Sequence, residues 1–157
     1  MDNSHIKDIY QAFDAKDIHH LEDLLTDDVW VRFGNAKSVM GKDHVIDSLT
    51  EFFAAIGEST HNINSIWYND NQVGVEARAA YTRKDNKVVS IPTFAVWKFE
   101  DAKIRHIQFF TNLQPVFEHT PPSLCDNSGV DPVDQAGKES FPASDPPSWN
   151  AGASHMA

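Results

Sequence analysis

Apolar residues recur at helical spacing three times before residue 57 and alternate with polar ones over most of the stretch from 63 to 111. Ile6, Ile9, Tyr10 and Phe13 fall at i, i+3, i+4 and i+7, which predicts a helix from Ser4 to about Lys16, with Lys7, Asp8, Gln11 and Asp14 filling its polar side. Asp17 is placed to cap a second, shorter helix from Ile18 to Leu25, ended by Thr26-Asp27-Asp28. Val29 to Phe33 reads as a strand and Gly34-Asn35 as a turn. After Gly41, Val45, Ile46, Leu49, Phe52, Phe53 and Ile56 form the stripe of a third helix from Lys42 to about Ile56, stopped by Gly57.

The period then changes to two. Ile63 to Tyr68 is bounded by the turn cluster Asn69-Asp70-Asn71, Val73 to Arg83 faces Lys87 to Phe99 across Lys84-Asp85-Asn86, and Ala102 to Thr111 is a last strand. The expected class is α+β: three N-terminal helices packed on one face of a strongly curved, mixed but mostly antiparallel sheet.

Composition divides the chain near residue 120. Residues 120–157 hold six of the eight prolines, and their acids outnumber their lysine five to one. The expected organisation is a folded domain over 1–119 and a largely irregular tail over 120–157. With 13 basic and 23 acidic residues the net charge is −10, which disfavours a nucleic-acid partner. Apolar runs are too short for a membrane span, and the first residues carry no secretory pattern. A single cysteine, Cys125, excludes an internal disulfide framework and fits a cytoplasmic location.

Several segments taken together resemble a known family. The two opening helices, Leu24–Asn35 (LLTDDVWVRFGN), Gly41–Phe53 (GKDHVIDSLTEFF) and Phe94–Asn112 (FAVWKFEDAKIRHIQFFTN) are similar in order and pattern to the SnoaL-like branch of the nuclear transport factor 2-like superfamily. The resemblance covers about residues 4–119. It implies a cone whose concave sheet face and helices enclose an apolar pocket, and a convex face that forms homodimers. The tail segment Glu139–Trp149 (ESFPASDPPSW) resembles a short stretch found in small bacterial proteins.

The superfamily hosts several chemistries, so the residues must choose among them. Ketosteroid isomerase chemistry needs a carboxylate base and an oxyanion pair of Tyr and protonated Asp. Aligned on the resemblance, those positions hold Phe33, Ile9, and Thr93 or Ala95, so the usual acids are missing. Tyr10 is one residue from the tyrosine position, about 100° away around the helix. An epoxide-hydrolase relay of Asp, Arg and Asp is not matched by Arg32, Glu76 and Arg78, and the last two read as an outward-facing pair. No His and acid set has metal-ligand spacing, so neither a metal nor another cofactor is expected.

His61 and Tyr81 are the candidate proton-transfer groups, His61 placed just after the third helix. Tyr10, Phe13, Val31, Phe33, Phe53, Thr93, Trp97, Phe109 and Thr111 are the expected pocket lining, with Ala77, Ala79 and Ala95 leaving room opposite the rings. Such a lining suits a small apolar ligand held by one or two hydrogen bonds. Two readings stay open: binding of that ligand without catalysis, or an isomerase, hydratase or cyclase using His61 or Tyr81. On the opposite parity, Phe94, Val96 and Phe110 form an apolar patch that a second copy would cover. In the tail, Asp126 to Gly137 is expected to be mobile and Glu139–Trp149 to dock as an extended strap.

Overall fold

The computed structural model describes residues 2–117 and 121–126. Helix α1 (Asn3–Asp14) is capped by Asp2, whose carboxylate accepts from the His5 N–H at 3.1 Å. Helix α2 (Ile18–Asp23) is capped in the same way by Asp17. Strands β1 (Leu25–Phe33) and β2 (Val39–Met40) precede helix α3 (Lys42–Ala55). Strands β3 (Ser59–Asn69), β4 (Gln72–Thr82), β5 (Val88–Glu100) and β6 (Lys103–Phe110) follow, and 3₁₀ turns lie at Gln114–Val116 and Ser123–Cys125.

The six strands form one curled, unclosed sheet in the order β2-β1-β6-β5-β4-β3. Only β1 and β6 run parallel; every other neighbouring pair is antiparallel. This is the expected α+β plan, with differences at its joints. Leu25 begins β1 rather than ending α2, and Thr26, Asp27 and Asp28 lie inside the strand. The parallel partner makes this favourable: Leu25 pairs with Ile104, and the Ile104 N–H donates to the Leu24 carbonyl at 2.7 Å. The two-residue β2, not foreseen, pairs Met40 with Trp30. Strand β3 starts four residues before the expected Ile63, which moves His61 from the entry of that strand into the sheet itself.

Two contacts set the helices over the sheet. Lys16, in the left-handed region at φ 55°, donates its Nζ to the Phe53 and Ile56 carbonyls at 2.9 and 3.1 Å. It thereby satisfies orphan carbonyls at the end of α3 and ties that end to the turn after α1. Gly34, at φ 52°, turns the chain after β1 so closely that a Cβ there would sit 2.8 Å from the Thr111 carbonyl oxygen.

The core runs through both layers and extends past the compositional break near 120. Leu124 and Cys125 are buried, and burial pushes the Cys125 thiol up to about 12. Ser123 donates its N–H and hydroxyl to the Glu51 carboxylate, at 3.2 and 2.7 Å. The expectations for the mobile segment (from residue 127 on) and for the Glu139–Trp149 strap lie outside the described residues. Among the described residues no helix is long and apolar enough to cross a membrane.

Candidate functional site

The concave face of β3–β6 meets α1 around a histidine. Ser59 and His61 stand two apart on β3, so both side chains point to the end of α1. There Asp14 receives three donors: the His61 backbone N–H on Oδ2 at 2.9 Å, and the His61 Nδ1 and Ser59 hydroxyl on Oδ1 at 2.6 and 3.1 Å. A carboxylate only accepts, so Nδ1 carries the hydrogen and Nε2 is left to face inward. Across the neighbouring strand the Tyr81 hydroxyl lies 3.3 Å from that Nε2. The side chain of His61 is 5% exposed and that of Asp14 is 24% exposed. Rings of Tyr10, Phe13 and Tyr81 surround the imidazole at centroid distances of 5.1, 5.4 and 5.8 Å.

Two further donors line the same cavity without a partner in hydrogen-bond geometry. The Tyr10 hydroxyl and the Trp97 indole N–H are buried and without a hydrogen-bond partner. They are near neighbours, with ring centroids 5.6 Å apart. The indole N–H lies close enough to favour the Tyr10 phenolate, yet the two do not meet in hydrogen-bond geometry. Burial raises the pKa of Tyr10 well above the ordinary phenol value; the Trp97 N–H offsets this in part and the Asp14 charge adds to it. Tyr81 is raised likewise, first by burial and then by Cys125, Asp14 and Tyr10. Both tyrosines are therefore neutral hydrogen-bond donors near pH 7.

Among these groups lies a cavity with about 20 Å³ open to the centre of a water molecule. That is room for a water or two, not for a drug-sized ligand. The space expected opposite Ala77, Ala79 and Ala95 is taken up by ring packing: Phe33 stacks on Phe109 at 4.2 Å, and Phe109 meets Trp97 edge-on at 5.6 Å.

Of the residues expected to form the site, His61, Tyr81, Tyr10, Phe13, Phe33, Thr93, Trp97, Phe109 and Thr111 line this cavity, together with Ile9. Val31 and Phe53 do not. Val31 is buried in the core, and Phe53 packs behind Phe13 at 4.9 Å. The 100° separation of Ile9 and Tyr10 does not keep either from the cavity, because the apolar face of α1 is wide enough to present both. The hydroxyls of Thr93 and Thr111 already donate to the Ala77 and Pro92 carbonyls.

Asp14 is the residue that sequence reasoning missed. It was assigned to the polar side of the first helix, but it stands four residues after Tyr10, about 40° around the helix, at the edge of the apolar stripe. That offset was the available signal. The remaining candidates lie elsewhere. Glu76 and Arg78 are exposed on the convex face, where Arg78 donates to the Ser90 hydroxyl at 3.2 Å. His106 stacks on Trp30 at 4.3 Å on that same face. Among the described residues no group of three or more His, Cys, Asp or Glu could hold a metal ion.

The sequence profile of the SnoaL-like domain matches residues 6–107. Solved structures share the fold at low identity. An NTF2-like protein of unknown function from Burkholderia pseudomallei K96243 superposes with a TM-score of 0.68 at 16% identity, over 76% of this chain and 100% of that one. A putative SnoaL-like polyketide cyclase from Jannaschia sp. CCS1 gives 0.65 at 14%, over 80% and 91%. An LEH-like epoxide hydrolase of M. tuberculosis gives 0.63 at 16%, over 73% and 85%. No curated protein matches the sequence significantly.

Proposed function

Because the chain belongs to the SnoaL-like domain family, we propose that its cone is a proton-transfer site for a small, mostly apolar substrate, working as an isomerase, hydratase or cyclase. The observation that carries this reading is the Asp14–His61 contact of 2.6 Å, made inside an aromatic enclosure with Nε2 directed at the cavity. An imidazole with Nδ1–H held by a carboxylate keeps its Nε2 lone pair available as a base, here accepting a long 3.3 Å bond from the Tyr81 hydroxyl, and the imidazolium that results from proton uptake is stabilised by the same carboxylate. The Tyr81 hydroxyl, 3.3 Å from Nε2, can pass a proton between the ring and a second substrate atom. Asp14 is a positioning residue and His61 the catalytic one.

Asp14 fixes the imidazole through Nδ1 while the His61 backbone N–H and the Ser59 hydroxyl fix Asp14 itself, a more elaborate support than packing alone requires. Binding without catalysis is the second reading. It is favoured by Phe33, Ile9, and Thr93 or Ala95 standing where the isomerase's carboxylates and tyrosine would be, with Phe33, Ile9 and Thr93 lining the cavity. Solvent-deuterium incorporation into a panel of small enolisable or dehydratable compounds separates the two. The wild type should exchange at least one compound about 10²- to 10⁴-fold faster than His61→Gln. A panel in which no compound exchanges faster with the wild type contradicts the enzyme reading.

A further inference from the structure

We infer that the segment Pro121–Asp126 is a latch on the cone: seated, it holds the inner cavity at its present size, and released, it lets the wall behind that cavity yield to a ligand. This goes beyond the proton-transfer reading and stands whether or not a proton moves in the cone. The segment is anchored in two unlike ways. At the surface, Ser123 gives its N–H and its hydroxyl to the Glu51 carboxylate of α3 at 3.2 and 2.7 Å. Beneath, Leu124 is 1% and Cys125 7% exposed, with the Ser123–Cys125 turn packed against α3 and β1, and Pro122 is buried as well.

The seated segment supports the cavity from behind. Phe52, the residue after the Glu51 anchor, is fully buried and stands 6.0 Å from both Tyr81 and Phe33 by ring centroid, and those two rings line the cavity. Phe117 meets the far side chain of this chain of rings, Phe52, edge-on at 6.2 Å. After burial, the neighbouring Cys125 thiol is the largest influence raising the Tyr81 pKa, which puts the thiol close to the lining. In a close-packed interior a ring backed by filled space cannot retreat, whereas a ring beside a new void can. With about 20 Å³ open to the centre of a water molecule, the cavity admits a larger guest only if some wall moves. Tyr81, Thr93, Trp97 and Phe109 sit on β4, β5 and β6, each paired to a strand on both sides. The latch pairs with no strand among the described residues, and its own backbone bonds close only a short turn, Cys125 N–H to the Pro122 carbonyl at 2.9 Å and Asp126 N–H to the Ser123 carbonyl at 3.3 Å. Releasing it breaks few contacts, so it opens below the free energy of global unfolding.

Cys125 is the only cysteine in the chain, so its alkylation by iodoacetamide, followed by mass, reports release of the latch. A thiol reacts as its thiolate, and a buried one is inert until it reaches water. In the wild type, labelling at low denaturant should rise with a slope well below that of global unfolding, because little surface is uncovered. Glu51→Ala and Ser123→Asp should each speed labelling about tenfold or more, and Ser123→Thr, which keeps both donors, should label as the wild type does. Benzene is the probe of the cavity. In Glu51→Ala and Ser123→Asp it should shift the indole N–H resonance of Trp97, a lining residue, saturably and at concentrations that leave the wild-type resonance in place. Wild-type labelling with the full slope of global unfolding overturns the latch as a separate unit, and this arm needs no variant to fold. Unchanged labelling in both variants overturns the Glu51–Ser123 anchor. Faster labelling without a benzene response at Trp97, or a response equal to that of the wild type, overturns the hold of the latch on the cavity. None of these readouts involves proton transfer, so a failure of the His61 reading leaves them unchanged.

Discussion

The two faces of β3 to β6 both carry aromatic rings, but in different settings. Inward, Tyr81, Trp97 and Phe109 are at most 9% exposed and line one cavity. Outward, Trp67 of β3, Phe94 of β5 and Phe110 of β6 run as a row that passes over Gly74 of β4, at 5.9 and 6.4 Å, with Trp67 53% and Phe110 57% exposed. Alternating side chains on one strand thus build a site on one side and a bare aromatic patch on the other. The inner face combines packing with two unpartnered donors around a small cavity, where the proton-transfer site is proposed; the outer face carries an aromatic row beside Glu76 and Arg78, and it is there that a second copy of the chain is proposed to dock.

Phe109 and Phe110 are sequence neighbours on opposite faces, and exchanging each for alanine separates the two roles. Phe109→Ala removes a ring stacked on Phe33 and should cost about 3–5 kcal/mol in denaturant unfolding. Phe110→Ala should cost the isolated chain less than about 1 kcal/mol. Equal losses would erase the distinction between the faces. Next in size, Phe94→Lys with Phe110→Lys should convert a two-chain mass in light scattering to a one-chain mass with the melting curve of the monomer intact. A wild-type mass of one chain contradicts the outer-face dimer.

Alkaline titration sharpens the inner face further. The chain has three tyrosines, all with raised pKa values, but burial is deep only for Tyr10 and Tyr81. A group raised in the folded state stabilises the fold below its unfolded value, near 10, and that contribution is lost as pH rises toward the folded value. Absorbance at 295 nm should therefore show Tyr68 ionising first, with Tyr10 and Tyr81 following only as the protein unfolds. Three tyrosines titrating together in the folded protein would mean that the cone is open to water.

Helical and twofold periods made the helices, the late strands and their inward sets legible in the sequence, because burial of a continuous face leaves a repeat that survives without tertiary knowledge. Tyr81, Trp97 and Phe109 share the inward parity for that reason. Asp14 and β2 left no such repeat. Asp14 is a polar residue at the rim of an apolar stripe, and only the arrival of β3, 47 positions on at His61, tells it apart from a solvated one. Strand β2 exists because Trp30 and Val31 offer a free edge. Leu124 and Cys125 sit in a stretch whose composition reads as tail, yet the Glu51–Ser123 bonds and two buried side chains hold it on the core. Cavity size was illegible for a related cause: small residues predict room, but whether rings close over them depends on contacts between strands.

The smallest expected effect is also the closest to the centre of the site. Long-range ¹H–¹⁵N correlation spectra of the His61 ring, recorded where the ring is neutral, report which nitrogen carries the hydrogen. The Asp14 contact requires a protonated Nδ1 and a bare Nε2, and Asp14→Asn should disturb that tautomer while the spectra of His19 and His44 stay unchanged. A ring with hydrogen on Nε2 and a bare Nδ1 would contradict an Asp14-oriented base at the heart of the cone.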